Sequence, residues 1–523
     1  MELSPVVDAL ITAFEEPKPQ GREGVHPTVS GTVSLLAVLY EKARNAVEFR
    51  AEHLVRRAAI ERILKRRIMI NGGSNSIAEN LILELLWAKY IDSSLVDDAK
   101  IADIQAIINR YLSVRHHVFD AGTKPAGISW DTLMGLASSE IEETIVSARK
   151  REALTDFFYQ AIQPNITIPG ADERFINIQT YIAIERAYNG ADEALIVFHL
   201  LKMVEPGWFT QKNDPTPLVP SFLQNLTAVQ QSLRDPLGEP LSRYIRRHTP
   251  PFLLIRDFFL EVGDKARGVM DKPEEFDTKL AELADRRYHE IGTKVRRAIV
   301  RSIIYIFLTK MLFALALEAP FDLYIAKRVS YLSLGINTVF PPILLFLVAG
   351  FISVPGADNT RRLIERIKKI IYRFDELKAE NDVFAPGAPN RRPILTAVFS
   401  VFYLATFLIS FGLISFILTK LQFNIASQII FVFFVTLVSF FAYRIRAAAR
   451  EYEMVERQGF LAPMVDFFFL PILRVGHVLS REIAKINIFI FLFDFILEAP
   501  LKVIFEVAEE WIRFVRIKKE EII

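Results

Sequence analysis

The stretch Ile394–Leu418, ILTAVFSVFYLATFLISFGLISFIL, decides the class of this 523-residue chain. It contains no charged residue and exceeds the roughly 20 apolar residues that an α-helix needs to cross a bilayer. A second uncharged run follows at 425–443. We therefore expect a polytopic membrane protein.

Polar and apolar residues are segregated along the chain. Residues 1–297 are polar, with apolar residues at helical spacing, whereas residues 298–523 are apolar and rich in Phe. A composition of 51% hydrophobic and 24% charged residues fits this segregation. The pattern predicts an all-α protein, in which an N-terminal cytoplasmic helical domain precedes an α-helical polytopic membrane domain with amphipathic interfacial helices.

Prolines mark the expected domain boundary. Those between Pro206 and Pro251 indicate a Pro-rich linker or an irregular layer. A helix from Pro273 is expected to continue into the apolar residues at Ile299, with a break at Gly292 as the alternative. The predicted regions are a cytoplasmic domain at 1–250, a helical connector at 251–297, a transmembrane domain at 298–443 and a membrane-associated C-terminal region at 444–523.

Loop charges predict the orientation of four spans. The predicted spans are 299–317, 337–354, 394–418 and 425–443. Lys and Arg are concentrated in the loop at 355–393 and after residue 443, and such loops stay in the cytoplasm. The N-terminus carries Glu2 and Asp8 but no basic region, so it does not resemble a secretory signal peptide. We expect both termini to be cytoplasmic and the protein to lie in the cell membrane.

A basic amphipathic helix is predicted at 361–377, between the second and third spans. Its apolar face consists of Leu363, Ile367, Ile370, Ile371 and Phe374. One interpretation places the helix on the inner leaflet, where anionic lipids are partners of its basic side chains. Those side chains are Arg361, Arg362, Lys368 and Lys369. The alternative is that the apolar face packs on the soluble domain.

The C-terminal region is apolar but interrupted. The run at 464–473 is too short to span a bilayer and contains Pro471. The run at 486–497 has a length typical of re-entrant or interfacial segments. Two in-plane or half-inserted helices are therefore predicted. A fifth and a sixth span are the alternative, and they leave the C-terminus on the same side.

Four ionisable residues near membrane depth are the candidate functional residues. They are Lys310, Glu318, Asp494 and Glu498. Both glutamates belong to the tetrapeptide Leu-Glu-Ala-Pro, which occurs at 317–320 and at 497–500. Because ionisable groups inside a membrane are costly, they often mark ion or proton pathways, and a pair of Lys310 with Asp494 would fit this. The alternative is that the glutamates only end helices at the interface and that Lys310 reaches out to it.

Few other residues specify chemistry. The chain has no cysteine, which excludes disulfides, thiol nucleophiles and Cys-ligated metals, and its net charge of +2 gives no basic field for nucleic acid. His116 and His117, with Asp120, could begin a metal site, but no further ligand follows at a defined spacing. We therefore interpret this segment as a surface turn. Glycine-rich nucleotide motifs, HExxH and GxSxG do not occur. No cofactor, metal site or enzymatic activity is predicted.

Two functions compete on these observations. The first is a membrane-anchored scaffold or tether, in which the N-terminal domain recruits a cytoplasmic protein. The second is a transporter or channel subunit that uses the intramembrane charges. Four spans give a transport pathway little room unless the protein forms an oligomer.

The predicted orientation is testable because the chain lacks cysteine. A Cys placed near Lys378 is expected to resist a membrane-impermeant thiol reagent in intact cells, whereas a Cys near Ser333 is expected to react. Labelling near Lys378 from outside would reverse the orientation.

Overall fold

Helices make up almost all of the described chain. The computed structural model describes residues 3–15, 52–71, 77–120, 128–211, 215–313, 320–321, 324, 331–350, 352–379, 384–385, 393–454, 461–485 and 511. Within these ranges there is no strand, and one isolated bridge pairs Ile166 with Phe384. The all-α class is confirmed.

The helices are numbered here in chain order. In the N-terminal region they are α1 (Pro5–Glu15), α2 (Glu52–Asn71), α3 (Ile77–Trp87), α4 (Asp98–Arg115), α5 (Trp130–Ile145), α6 (Arg149–Ile162), α7 (Glu173–Ile184), α8 (Glu193–Val204), α9 (Pro206–Thr210), α10 (Val219–Leu233), α11 (Gly238–Val262) and α12 (Ala266–Met270). They are followed by α13 (Pro273–Phe313), α14 (Tyr331–Gly350), α15 (Ala357–Tyr372), α16 (Pro393–Lys420), α17 (Ile425–Ala449) and α18 (Leu461–Lys485).

The segment at 206–251 is mostly helical, so its interpretation as a linker or irregular layer was wrong. Pro206 begins α9 and Pro220 lies in the first turn of α10, positions where the missing N–H of proline costs no helical hydrogen bond. Pro250 and Pro251 lie inside α11 and are buried. The expected boundary between residues 250 and 251 therefore falls within a continuous helix.

The N-terminal region has two hydrophobic cores. The first, which we call the N-terminal core, is formed mainly by α2–α5 and α8–α10. The second, the junction core, is formed by α1, α6, α7, α11 and α12 together with α13, α15 and Tyr452. Because the junction core includes helices that lead into the apolar half, residues 1–250 alone would leave much of it uncovered.

Helix α13 is a single helix from Pro273 to Phe313, which confirms the expected continuity through Gly292. Helix α15 packs beside it in the antiparallel direction. Tyr288 accepts a hydrogen bond from Asn359 at 2.8 Å, and Asp277 pairs with Lys368 at 2.8 Å. As the numbering falls along α13 it rises along α15, so α15 points away from the apolar half of α13.

The apolar face of α15 is covered by protein. Its buried members are Leu363, Ile367, Ile370 and Ile371, and Phe374 is buried just beyond the helix. They join the junction core, where each buried side chain contributes about 2 kcal/mol. Of the two interpretations of this basic helix, packing on the N-terminal domain is the one observed. Insertion of the same face into the inner leaflet is incompatible with this burial.

Three helices are long and apolar enough to cross a membrane. The qualifying segments are Ser333–Gly350, Ala397–Lys420 and Ile425–Ala449. They match the second, third and fourth predicted spans. The first predicted span, 299–317, is described only as far as Phe313.

Apolar side chains face outward on the helices after residue 297. On α13 the exposed ones are Val300, Ile304, Phe307, Leu308 and Met311. Among the described residues before 298, the exposed large hydrophobic side chains are only Met69, Leu95, Met203 and Leu260. A continuous apolar exterior is costly in water and natural against lipid. The C-terminal part of α13 therefore has the same kind of surface as the three candidate spans.

Helix α18 runs through Pro471 and packs along α17. A Cβ added to Gly476 would collide with the Thr436 carbonyl and lie 2.8 Å from the Phe440 Cβ, so the two backbones nearly touch. The segment at 464–473 belongs to this 25-residue helix and is not a short helix of its own. Its half-insertion into the membrane stays a prediction. Residues 486–497 lie outside the described residues.

The packing of α15 predicts a specific loss of stability. Ile367 is fully buried, so Ile367→Ala is expected to lower the free energy of unfolding by about 3 kcal/mol. Glu365→Ala, on the exposed face of the same helix, should change it by less than about 0.5 kcal/mol. Denaturant unfolding of the full-length protein in detergent, followed by circular dichroism, measures both. Equal effects of the two substitutions would mean that α15 is not docked.

Candidate functional site

Three segments that flank the apolar helices meet on the N-terminal domain. They are the polar half of α13, the loop that contains α15, and residues 451–454 after α17. We call their meeting point the junction. Its polar side chains are Asp257, Arg287, Tyr288, Asn359 and Tyr452.

Asp257, on α11, is the centre of the junction and is only 3% exposed. The Nε and Nη2 atoms of Arg287, on α13, donate to its two carboxylate oxygens at 2.8 and 2.9 Å. The Tyr452 hydroxyl donates to Oδ2 at 2.6 Å. One carboxylate thereby binds both the helix that enters the apolar half and the segment that leaves it. Such a bidentate pair also fixes the relative orientation of its partners.

The two side chains that donate to Asp257 keep their protons near neutral pH. Burial raises the pKa of the Tyr452 hydroxyl, and the negative charge of Asp257 raises it further. The hydrogen bonds to Asp257 raise the pKa of Arg287, against the effect of burial. Both donors therefore stay protonated, and their hydrogen bonds to Asp257 do not depend on pH near neutrality.

Asn359, on α15, makes a second set of ties in the junction. Its amide nitrogen donates to the Tyr288 hydroxyl and to the Tyr452 carbonyl, both at 2.8 Å. Its amide oxygen accepts from the Met454 backbone at 2.9 Å. One side chain thus connects α13, α15 and the segment after α17.

The rest of the α15 loop is tied to the domain through the backbone. Phe384 donates to the Asn165 carbonyl, and its own carbonyl accepts from Thr167, both at 2.9 Å. The Asn165 side chain donates to the Leu377 carbonyl at 3.2 Å. The loop between α14 and α16 is therefore held at both of its described ends.

A second polar cluster lies between the N-terminal core and the junction core. His199, on α8, donates from Nε2 to Glu143 at 2.7 Å, and its Nδ1 lies 3.4 Å from Glu185. Glu143 also binds Arg151 at 2.6 Å and Lys202 at 3.2 Å. Since His199 and Glu143 lie beside the N-terminal core, and Arg151 and Glu185 beside the junction core, the cluster joins the two.

The charges of this cluster stabilise one another. Burial alone would lower the pKa of His199, but hydrogen bonds to Glu143 and Glu185 raise it from 6.5 to about 9. Burial would likewise raise the pKa of Glu143, but the His199 hydrogen bond and the nearby cations lower it from 4.5 to about 2. The arrangement is an imidazolium held between two carboxylates. Its residues line neither the cavity beside Glu261 and Lys279 nor the one beside His248 and Phe252.

Of the four predicted site residues, the structure describes only Lys310. It is fully buried in the bundle of α13, α14 and α17, with Nζ 4.9 Å from the centre of the Phe434 ring. Glu318, Asp494 and Glu498 lie outside the described residues, and so does a Lys310–Asp494 pair. A buried ammonium over an aromatic face is a cation–π contact. The predicted membrane depth of Lys310 stays a prediction.

The histidine pair does not sit in a buried site. His116 and His117 are both exposed in a π-helical turn that follows α4, as expected for a surface turn. Among the described residues, no group of three or more potential metal ligands comes together.

The junction and the His199 cluster were not predicted from the sequence. The signal in the sequence was weak: His199 is the only polar residue in LIVFHLL, and Asp257 is the only carboxylate in FLLIRDFFL, directly after Arg256. Their partners are far away in the chain, so no spacing pointed to them. Comparison of the chain with protein-family models, with curated proteins and with solved structures finds no match.

The His199 cluster predicts a pH dependence of stability. A raised pKa in the folded state stabilises the fold fully below the unfolded value of about 6.5, and this contribution disappears as pH rises through about 9. Glu143, with a lowered pKa, contributes above about 4.5 and loses this as pH falls through about 2. The melting temperature is expected to fall between pH 6.5 and 9.5.

His199→Gln is the control for this effect. It removes the positive charge between two buried carboxylates. It should therefore lower the free energy of unfolding by about 3 kcal/mol at pH 6.5. It should also flatten the pH dependence between pH 6.5 and 9.5. A wild-type melting temperature that is constant over this range, or an unchanged slope in the variant, would contradict the assignment.

Proposed function

We propose that this chain is a multi-pass protein of the cell membrane that acts as a non-enzymatic scaffold or tether. Its N-terminal helical domain would hold a cytoplasmic protein partner at the membrane. The observation that carries the proposal is the junction, where Asp257 fixes this domain to the helices that lead into and out of the apolar half. Such a contact would hold the domain at a fixed position against the bilayer, as a scaffold requires.

The junction also supports four spans. The chain leaves the junction core along α13, and the residues from 352 onward lie against the same core. Since α14 is a candidate span that ends there, a return to the same side requires that the end of α13 also crosses. The same argument applies to α16 and α17. The loop before α16 and Tyr452 after α17 both lie at the junction, so either both helices cross or neither does. An even number of crossings before each return to the junction agrees with the loop charges, which favour a cytoplasmic N-terminal domain.

Lys420 and Arg373 are better positions than Ser333 for a Cys that reports this orientation. Ser333 is only 3% exposed, so a Cys there would be a poor reporter. Lys420, in the short connection between α16 and α17, is exposed and belongs on the outside in the proposed topology. Arg373 is exposed at the end of α15 and belongs inside.

We propose that α15 contacts lipid through only two of its basic side chains. Arg361 and Arg362 lie in its first turns, which are nearest the apolar half of α13, and both pair with Asp358. Lys368, which pairs with Asp277, and Lys369 lie about 10 Å further along the helix axis. We propose that anionic headgroups meet the first two residues only, in a diffuse contact that salt would screen.

A transporter or channel subunit remains the second candidate function, because Lys310 is fully buried among membrane helices. A buried cation at this depth often lies on a substrate or ion pathway. The scaffold is the first choice because the junction binds the domain and the spans into one unit.

A flux assay with a recruitment assay separates the two functions. In liposomes containing the purified full-length protein, no protein-dependent flux of protons, Na⁺, K⁺ or Cl⁻ is expected. In cells, quantitative proteomics of isolated membranes should show cytoplasmic proteins that are enriched by the wild type and not by Asp257→Ala, which leaves Arg287 without its buried carboxylate. Lys310→Met should leave this enrichment intact. Flux through the wild type that disappears in Lys310→Met would replace the scaffold with the transporter.

A further inference from the structure

The cleft between α16 and α18 lies just inside the basic end of the membrane helices. Gly476, on α18, contacts Phe440 of α17, and the uncharged part of α17 ends at Arg444. Four residues of helix correspond to about 6 Å along the axis. The contact is therefore about one turn within the apolar layer.

Helices α17 and α18 must be antiparallel. Residues 455–460 connect Met454 to the start of α18, and they extend over at most about 25 Å. The far end of α17 is about 37 Å from its basic end, out of reach of this connection. Since α18 starts at the basic end of α17, Arg474 lies between the Gly476 contact and that end.

Arg474 projects outward into this cleft. Its guanidinium lies over the Tyr403 ring of α16, 5.7 Å from the ring centre, and Nη1 donates to the Tyr403 hydroxyl at 3.4 Å. His477, one turn further on, is also exposed, with its ring 5.3 Å from that of Phe440. Among the described residues no carboxylate pairs with Arg474. Within the described part of the chain, most of its five N–H donors therefore remain available to a ligand.

We propose that Arg474 and Tyr403, with His477 at the edge, bind the phosphate of an anionic phospholipid from the leaflet at the basic end of the bundle. An exposed cation just inside the edge of the hydrocarbon layer needs a counter-charge, and a lipid phosphate lies at the level that its long side chain reaches. The guanidinium offers a planar pair of donors to phosphate oxygens, and the tyrosine hydroxyl adds one more. Basic clefts between membrane helices on the cytoplasmic side bind such headgroups.

A lipid fits this cleft better than a soluble phosphate. The same stretches of α16 and α18 carry exposed apolar side chains such as Phe402 and Val478, which offer contact to acyl chains. A free phosphate would gain the same polar contacts but none of these. The site differs from the contact proposed for Arg361 and Arg362, which lie in the loop rather than between membrane helices. It would be present whether the protein is a scaffold or a transporter.

The test is lipid binding by the full-length protein. The protein is purified in a neutral detergent, titrated with dioleoyl-phosphatidylglycerol, and bound lipid is counted by native mass spectrometry. The wild type is expected to retain this lipid more tightly than dioleoyl-phosphatidylcholine. Arg474→Gln should weaken its binding about tenfold. Tyr403→Phe should weaken it less, and Arg474→Lys should lie between wild type and Arg474→Gln.

Control variants separate lipid binding in this cleft from lipid binding elsewhere on the protein. The double substitution Arg361→Gln with Arg362→Gln should leave the tight binding unchanged, and inorganic phosphate should not compete at millimolar concentration. The melting temperature of Arg474→Gln without added lipid should match that of the wild type; if it does not, the decision rests on Arg474→Lys. Unchanged lipid binding in Arg474→Gln, loss only in the α15 double variant, or displacement by inorganic phosphate would each overturn the proposal.

Discussion

The carboxylate of Asp257 is the constraint on which the arrangement of this protein depends. Burying a charge is costly unless it is paired, and this one is paired with Arg287 from α13 and with Tyr452 from beyond α17. Removing either partner leaves a buried charge without full compensation, so the three positions must stay together. The N-terminal domain is thereby tied to the chain at both the entry and the exit of the apolar half.

The hydrophobic contacts around this carboxylate have the same consequence. Helix α15 comes from a loop between two apolar helices, yet its apolar face completes the core of the N-terminal domain. The basic face of the same helix stays in solvent, where Arg361 and Lys369 are exposed. One amphipathic helix therefore satisfies two requirements: it retains the loop on the polar side, and it closes a core that residues 1–250 leave open.

The sequence predicted what depends on local composition. Helical class, three apolar helices and the continuity of α13 through Gly292 could be predicted, because hydrophobic periodicity and run length are local properties. The region at 206–251 could not, since proline at a first helical turn and proline in a linker give the same composition. Asp257 and Tyr452 are 195 positions apart, and no spacing in one sequence indicates such a pair. Three of the four predicted site residues lie outside the described residues, so that prediction stays untested.

Helix α13 also acts as a lever. Its polar part, from Pro273 to Arg297, is about 37 Å long and is continuous with the part that enters the apolar half. If its apolar end tilts by about 10° to match a thinner bilayer, the far end of the polar part moves sideways by about 6 Å. Because the junction binds the N-terminal domain to this lever, a change in bilayer thickness would, in the proposed topology, displace the far end of that domain.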